Sequence, residues 1–175
     1  MKRLLLHWIG RTLVTCALLM ACSQSSGQTP DKEAAASTET GFAGLLSNYE
    51  AAREALAADR IADAVSIAKH IESSAKNAKA SVAAAQQATM DALIKAAATL
   101  AQTSKDDESA VRRGFGEVSK QLVSILRAVP KYREGLYLFE CPMAEGFKQW
   151  VARKDQVENP YMGTKMLHCG SKRTF

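Results

Sequence analysis

Beyond the N-terminal part of the chain, apolar residues recur every three or four positions, which is the spacing of one helix face. This pattern predicts four helices, over residues 41–58, 60–78, 81–102 and 106–129. The clearest apolar stripe lies in the fourth helix, and Pro130 ends it because proline disfavours helical angles in the residue before it. Helices joined by short loops predict a mainly α fold, an up-down four-helix bundle.

The character of the chain changes after Pro130. The segment "GLYLFECPM" (135–143) is aromatic and apolar with partial alternation, which is typical of a short strand. Residues 148–154 are expected either to pair with it or to form a helical turn, and "ENPYMG" indicates a turn. We therefore predict one domain over 41–175, in which residues 130–175 form a small irregular or β cap on the bundle.

The N-terminus has the pattern of an export signal. A basic start, "MKR", precedes an apolar stretch over residues 12–21, which is too short for the about 20 residues that span a bilayer. Leu19-Met20-Ala21-Cys22 resembles the bacterial lipobox, so we interpret 1–21 as a lipoprotein signal peptide and Cys22 as the lipidated residue. The alternative is an ordinary signal peptide in which this cysteine is coincidental.

The segment after Cys22 is polar and rich in Ser, Gln, Thr and Gly. Because it cannot bury enough apolar surface to become ordered, we predict that residues 22–40 form a flexible tether. The predicted location is the periplasmic side of the bacterial cell envelope, through a lipid anchor. Ser23 after the lipidated cysteine is compatible with the outer membrane.

Removing the signal changes the charge of the protein. Lys2, Arg3 and Arg11 leave with it, so 20 basic residues face 18 acidic ones in the mature chain. Such a balance argues against nucleic acid as a partner, because nucleic-acid binders need a basic face. The sequence also lacks a recognisable Ser-His-Asp or Cys-His spacing, a phosphate loop and a dinucleotide fingerprint. We therefore predict that the protein is not an enzyme.

Sulfur is concentrated near the C-terminus. Cys16 leaves with the signal and Cys22 carries the lipid, so Cys141 and Cys169 remain as one pair. Export places this pair in an oxidising compartment, where a disulfide would add about 3–4 kcal/mol by closing the loop. Both a disulfide and a pair of metal ligands are therefore open interpretations.

The same region is rich in ligands for a soft metal. Its candidates are Cys141, Met143, Met166, His168 and Cys169, with Met162 in reserve. Thiolates and thioethers favour Cu(I), and imidazole suits copper or zinc. On an extended segment Cys141 and Met143 point to one face, and a helical turn would bring Met166 beside Cys169. Met143 and Met166 as ordinary gap-filling side chains are the alternative.

The tail "CPM…W…NPYMGTKMLHCG" closely resembles the C-terminal signature of the bacterial family called domain of unknown function 3347. The segment "YEAAREALAADRIADAVSIAKHI" (49–71) is similar to the family's Tyr…Leu-Ala-x-Asp…Ala pattern, with Asp59 as its first-loop aspartate. The resemblance covers residues 49–170. Met162 and His168 depart from it, since the family commonly has an aromatic and a small polar residue there. The family's tail motif falls on Cys141, Pro142, Met143, Trp150, Asn159, Pro160, Tyr161, Gly163, Met166, Cys169 and Gly170.

This resemblance implies a role in metal handling. Members of the family are often exported, sometimes as lipoproteins, and some are fused to membrane-fusion subunits of copper and silver efflux pumps. We therefore expect a lipid-anchored envelope protein that binds Cu(I), with a heavy-metal efflux system as a possible partner. The alternative is a non-enzymatic envelope interaction module whose cap is closed by a Cys141–Cys169 disulfide.

Overall fold

The structure, a computed structural model, describes residues 30–175 and their side chains from residue 41 onward. The predicted signal peptide, the predicted lipidation site at Cys22 and the predicted tether up to residue 29 lie outside the described residues. No helix within the described part of the chain is both long enough and apolar enough to cross a membrane. The elements are α1 Pro30–Ala57, α2 Ile61–Ala78, α3 Gln87–Leu100, α4 Glu108–Ala128, β1 Tyr137–Glu140, β2 Gln149–Ala152 and β3 Ser171–Arg173.

The mainly α fold with a small β cap is confirmed. Four α-helices precede a three-stranded antiparallel sheet at the C-terminal end. The fourth helix lies where the apolar stripe predicts it, and the Asp107 carboxylate caps it by accepting from the backbone N–H of Ala110 at 2.9 Å. The up-down order of a bundle stays a prediction.

Helix α1 begins at Pro30, which is earlier than the predicted start at residue 41. Residues 30–40, which we assigned to the flexible tether, are therefore helical in the structure. Proline is favoured at the first helical position, and the acidic and alanine residues that follow it suit the first turns of a helix.

Helix α3 begins at Gln87, later than the predicted start at residue 81. The chain instead makes two short 3-10 turns, Lys79–Ser81 and Ala84–Gln86, on either side of Val82, whose backbone is extended. The side-chain Nε2 of Gln87 donates to the carbonyl oxygens of Lys79 at 2.9 Å and Val82 at 3.0 Å. Val82 is still buried, so the apolar pattern continues across a corner that the periodicity alone does not reveal.

The cap and the helices share one hydrophobic core. Tyr49 on α1 stacks on Phe115 of α4 with ring centroids 5.0 Å apart. Its buried hydroxyl lies 2.7 Å from Ser119 Oγ and accepts from the backbone N–H of Val151 on β2 at 3.4 Å. The α1, α4 and β2 elements therefore meet at one side chain, which fixes the position of the cap.

The sheet has the strand order β2-β1-β3. The segment expected to be either a strand or a helical turn is strand β2, and it pairs with β1 so that Phe139 lies opposite Trp150. Trp150 is completely buried, stacks on Phe139 at 5.7 Å and meets the Tyr161 ring edge-on at 5.8 Å. These aromatic contacts provide the apolar base on which the C-terminal tail lies.

Candidate functional site

The structure brings the two predicted cysteines together. The Sγ atoms of Cys141 and Cys169 are 3.0 Å apart, and neither residue is in a disulfide, whose sulfurs would be about 2.05 Å apart. Cys141 is completely buried, whereas Cys169 is partly exposed. The site is therefore a close pair of cysteines, one buried inside the cap and one partly exposed at its surface.

Cys141 follows the last residue of β1, and its backbone is held on both sides. Its N–H donates to the carbonyl oxygen of Lys148 at 3.0 Å, and its own carbonyl accepts from Ala144 N at 3.3 Å. The first bond continues the pairing of β1 with β2 beyond the end of the strand. The buried sulfur thus projects from a fixed point at the edge of the core.

Cys169 is held by a buried asparagine. It follows the 3-10 turn Gly163–Met166, and its N–H donates to the Met166 carbonyl at 2.9 Å. The Nδ2 of the fully buried Asn159 donates to the Cys169 carbonyl at 2.6 Å, while its Oδ1 accepts from Tyr161 N at 2.8 Å. Because Asn159 satisfies both ends of the segment 159–169, this one side chain sets where the segment returns to the sheet.

The residue after Cys169 packs directly on the aromatic base. A β-carbon on Gly170 would lie only 2.9 Å from Cη2 of Trp150 and 3.1 Å from the carbonyl oxygen of Glu140. The next residue, Ser171, pairs with Glu140 across the β1–β3 ladder. Strand pairing on one side and glycine–tryptophan packing on the other therefore place Cys169 beside Cys141.

The contact between the two sulfurs favours the protonated form of the Cys169 thiol. The hydrogen bond with Cys141 raises the pKa of the Cys169 thiol, because ionising Cys169 would remove the proton that the two sulfurs share. A metal ion that binds both sulfurs must displace these protons, so metal binding at this site releases protons to solvent.

The other predicted ligands are exposed or partly exposed. Met166 is 38% exposed and lines a shallow depression together with His168 and Cys169. Met143 is 64% exposed and lines a neighbouring cavity with Met162. The structure therefore places Met166 and His168 on the same depression as the exposed thiol, and Met143 and Met162 in a different opening.

His168 has one nitrogen already engaged. Its Nδ1 lies 2.9 Å from the carbonyl oxygen of Val157, and a carbonyl requires the N–H tautomer there. That bond orients the ring and leaves Nε2 as an acceptor, the arrangement usual for metal-binding histidines. Within the described part of the chain, no three side chains of the His, Cys, Asp and Glu types form a metal-binding group.

A polar network that the sequence did not reveal holds the base of the tail. The Asp59 carboxylate, in the α1–α2 turn, accepts from Arg112 Nη2 at 2.6 Å and from the N–H and hydroxyl of Thr164. Arg112 Nη1 donates to the carbonyl oxygens of Leu56 at 2.9 Å and Pro160 at 2.5 Å. The hydrogen bonds from Thr164, with the Arg112 charge, lower the pKa of Asp59. Of the side chains in this network, only Asp59 had a signal in the sequence, as the first-loop aspartate of the resembled family.

A second buried arginine fixes the residue before Asn159. Arg53 on α1 is completely buried and donates to both the carbonyl and the carboxylate of Glu158, at 3.1 Å and 3.0 Å. Its Nη2 also lies 3.0 Å from the Glu50 carboxylate. The tail segment that carries Cys169 is thus anchored to α1 as well as to α4.

We compared the chain with known protein families, with characterised proteins and with solved structures, and none of them matches it. The resemblance to domain of unknown function 3347 therefore rests on the tail residues and on residues 49–71, quoted above.

Proposed function

We propose that this protein binds a soft metal ion, Cu(I), at the Cys141–Cys169 pair and serves metal handling or resistance in the bacterial envelope. The observation that supports this proposal most directly is the 3.0 Å separation of the two sulfurs, one of which reaches the surface. Thiolate pairs are among the ligands that select Cu(I) over harder ions. The role would be buffering, or delivery to an efflux system.

The two sulfurs are close enough to be drawn onto one ion. With metal–thiolate bonds of about 2.3 Å, two thiolates on one ion lie about 3.8 Å apart in tetrahedral and about 4.6 Å apart in linear geometry. From their 3.0 Å separation the sulfurs would have to move apart by about 0.8–1.6 Å. The partial exposure of Cys169 gives an ion access from solvent, whereas Cys141 would hold it from the protein side.

Further donors are available beside the exposed thiol. The Met166 thioether and His168 Nε2 are the nearest candidates by position, since they line the same depression as Cys169. Met143 lines the neighbouring cavity instead. We therefore rank Met166 and His168 above Met143 as additional ligands.

The envelope setting completes the proposal. Lipidation at Cys22 would tether the domain to a membrane, and the helices, as an up-down bundle, would be a rigid support for the cap. A heavy-metal efflux system as partner follows from the family resemblance alone.

The test is an anaerobic Cu(I) competition titration on the reduced mature chain carrying Cys22→Ser, in which Cys141 and Cys169 are the remaining thiols. We expect one tight equivalent that is lost in Cys141→Ser and in Cys169→Ser and weakened in Met166→Leu. Met143→Leu is the matched control at an exposed thioether, with a smaller effect. Binding no tighter than in the double cysteine variant would overturn the proposal.

The second candidate function also depends on the short distance between the two sulfurs. An exported dithiol whose sulfurs are 3.0 Å apart can be oxidised, and the protein would then be an interaction module with a disulfide-closed cap. Thiol state separates the two candidates. Rapid alkylation of intact cells and mass analysis of the mature protein would show either free Cys141 and Cys169 or a permanent disulfide.

A further inference from the structure

We infer that the Cys141–Cys169 pair is a thiol–disulfide exchange site, in which Cys169 reacts with an external disulfide and Cys141 resolves the resulting mixed disulfide. The partner is identified by its chemistry as an accessible disulfide, either of a small thiol or of an oxidoreductase. The inference uses the same two sulfurs as the proposed function and adds how that site is switched.

The difference in exposure between the two sulfurs assigns their roles. Cys141 is completely buried in the hydrophobic core, so an external disulfide cannot reach its sulfur while the cap is folded. Cys169 lines a shallow surface depression formed by the segment 164–169. Lys165 and His168 line the same depression, and their nitrogen atoms suit an anionic thiol compound. First attack therefore takes place at Cys169.

The short distance between the sulfurs makes resolution intramolecular. The Sγ atoms need to approach by about 1 Å from their 3.0 Å separation to reach the about 2.05 Å of a disulfide bond. Both cysteine backbones are held by hydrogen bonds, to Lys148 for Cys141 and to Asn159 for Cys169. The second thiol is thus already positioned when the mixed disulfide forms.

The two steps balance without any further reactant. The Cys169 thiolate attacks one sulfur of the external disulfide, its S–S bond breaks, and the released thiolate takes up the proton that Cys169 lost. Cys141 then loses its thiol proton, and its thiolate attacks Cys169 Sγ and displaces the second external thiolate, which takes up that proton. Two protein thiols are oxidised and one external disulfide is reduced to two thiols.

This exchange would control metal binding. The disulfide form has no thiolate to offer, so oxidation removes the two sulfur ligands together, and reduction through Cys169 restores them. A reductant and the ion would then both reach the site at Cys169. Cys141 would be oxidised or reduced only through Cys169.

To test this inference, reduced protein is mixed with glutathione disulfide, and the mass of the intact protein is followed over time by mass spectrometry. All variants carry Cys22→Ser, so only the pair can react. The parent should lose two hydrogens without a lasting glutathione adduct. Cys141→Ser should accumulate one adduct on Cys169, because the resolving thiol is absent. Cys169→Ser should form its adduct at least about tenfold more slowly, since Cys141 reacts only after local opening.

Two controls keep this test decisive. In denaturant both single variants should react at the same rate, which shows that the folded cap causes the difference. Limited alkylation of the folded parent, followed by peptide mapping, should label Cys169 before Cys141 without any substitution in the pair. Equal labelling of the two cysteines, or a stable adduct on the parent, would overturn the exchange assignment.

The outcomes are separate from those of the copper titration. Ordered labelling with rapid disulfide formation supports exchange whether or not Cu(I) binds. Tight Cu(I) binding with equal reactivity of the two cysteines would leave the proposed function in place and refute exchange.

Discussion

The carboxylate of Asp59 lies 2.6 Å from Nη2 of Arg112, which joins the turn between α1 and α2 to the first turns of α4. The same carboxylate accepts from Thr164 in the segment that carries Cys169. Arg112 also donates to Pro160 in that segment. One acid and one base therefore connect the helical part to the cap, far in sequence from the cysteines whose positions they help to set.

Asp59→Asn tests this connection. Asparagine tolerates the positive φ of 57° at this position, so the substitution removes the charge with little change in backbone preference. We expect the free energy of unfolding to fall by about 1–3 kcal/mol, because Arg112 loses a charged partner while buried. Urea unfolding followed by circular dichroism measures the change. Arg60→Gln, which removes an exposed pair with Asp63, is the control and should change little.

The contribution of Asp59 should also depend on pH. Its pKa is lowered in the folded state, first by the Thr164 hydrogen bonds and then by Arg112. A lowered folded pKa stabilises the protein above the unfolded value of about 3.9, and this contribution disappears as the pH falls through the folded pKa. The stability difference between the parent and Asp59→Asn should therefore be full at pH 7 and shrink in acid. A difference that stays constant down to pH 3 would contradict this assignment.

Alanine substitutions at Gly163 and Gly135 distinguish the stability cost of backbone strain from that of close packing. Both have positive φ, 57° and 69°, but a β-carbon on Gly163 would run into Asp59 Oδ1 and lie 2.7 Å from Arg112 Nη2, whereas one on Gly135 meets nothing within 4 Å. Gly135→Ala should cost about 1–2 kcal/mol for the left-handed backbone alone. Gly163→Ala should cost more and also weaken Cu(I) binding. Equal urea midpoints for the two variants would refute the packing argument.

The sequence predicts the parts of this molecule that depend on local pattern. The apolar stripe gives α4, and the alternation before Cys141 gives β1, because both patterns follow from backbone periodicity. The sequence also predicts that Cys141 lies beside Cys169, since these are the two cysteines left after the predicted signal and lipidation site are set aside. The corner at Val82 was not, because a buried extended residue satisfies the same apolar pattern as a helical one.

The buried arginines show what local pattern cannot give. Arginine side chains usually face water, yet Arg53 on α1 and Arg112 on α4 are both buried. Each donates a hydrogen bond to one glutamate on its own helix, Glu50 or Glu108. Their other partners are carbonyls and carboxylates of residues 56–59 and 158–160, which tertiary contact contributes. A charge is tolerated there only because those partners converge on it, and that convergence depends on the completed fold.

Trp150 should report on the dithiol. It is buried, and of the two tryptophans in the sequence the other, Trp8, lies in the predicted signal peptide, so a chain expressed from residue 22 contains Trp150 alone. Gly170, next to Cys169, packs on its ring. We expect a change in tryptophan emission that saturates at one equivalent of Cu(I), and a second, distinct change on oxidation of the pair. Both should vanish in Cys169→Ser, whereas Met143→Leu should retain them; identical responses in these two variants would count against coupling through Gly170.

Membrane attachment provides a prediction that is independent of the cap. If Cys22 carries the lipid, Cys22→Ser should abolish incorporation of labelled fatty acid. Cys16→Ser is the matched control, because this cysteine lies in the apolar part of the predicted signal, and incorporation should persist in that variant. Incorporation that survives Cys22→Ser would refute the lipobox. Both thiols lie in the cap, far in sequence from Cys22. Reduced Cys22→Ser protein should therefore bind Cu(I) as tightly as the lipidated chain. Loss of the anchor would change the location of the site and leave its chemistry unaltered.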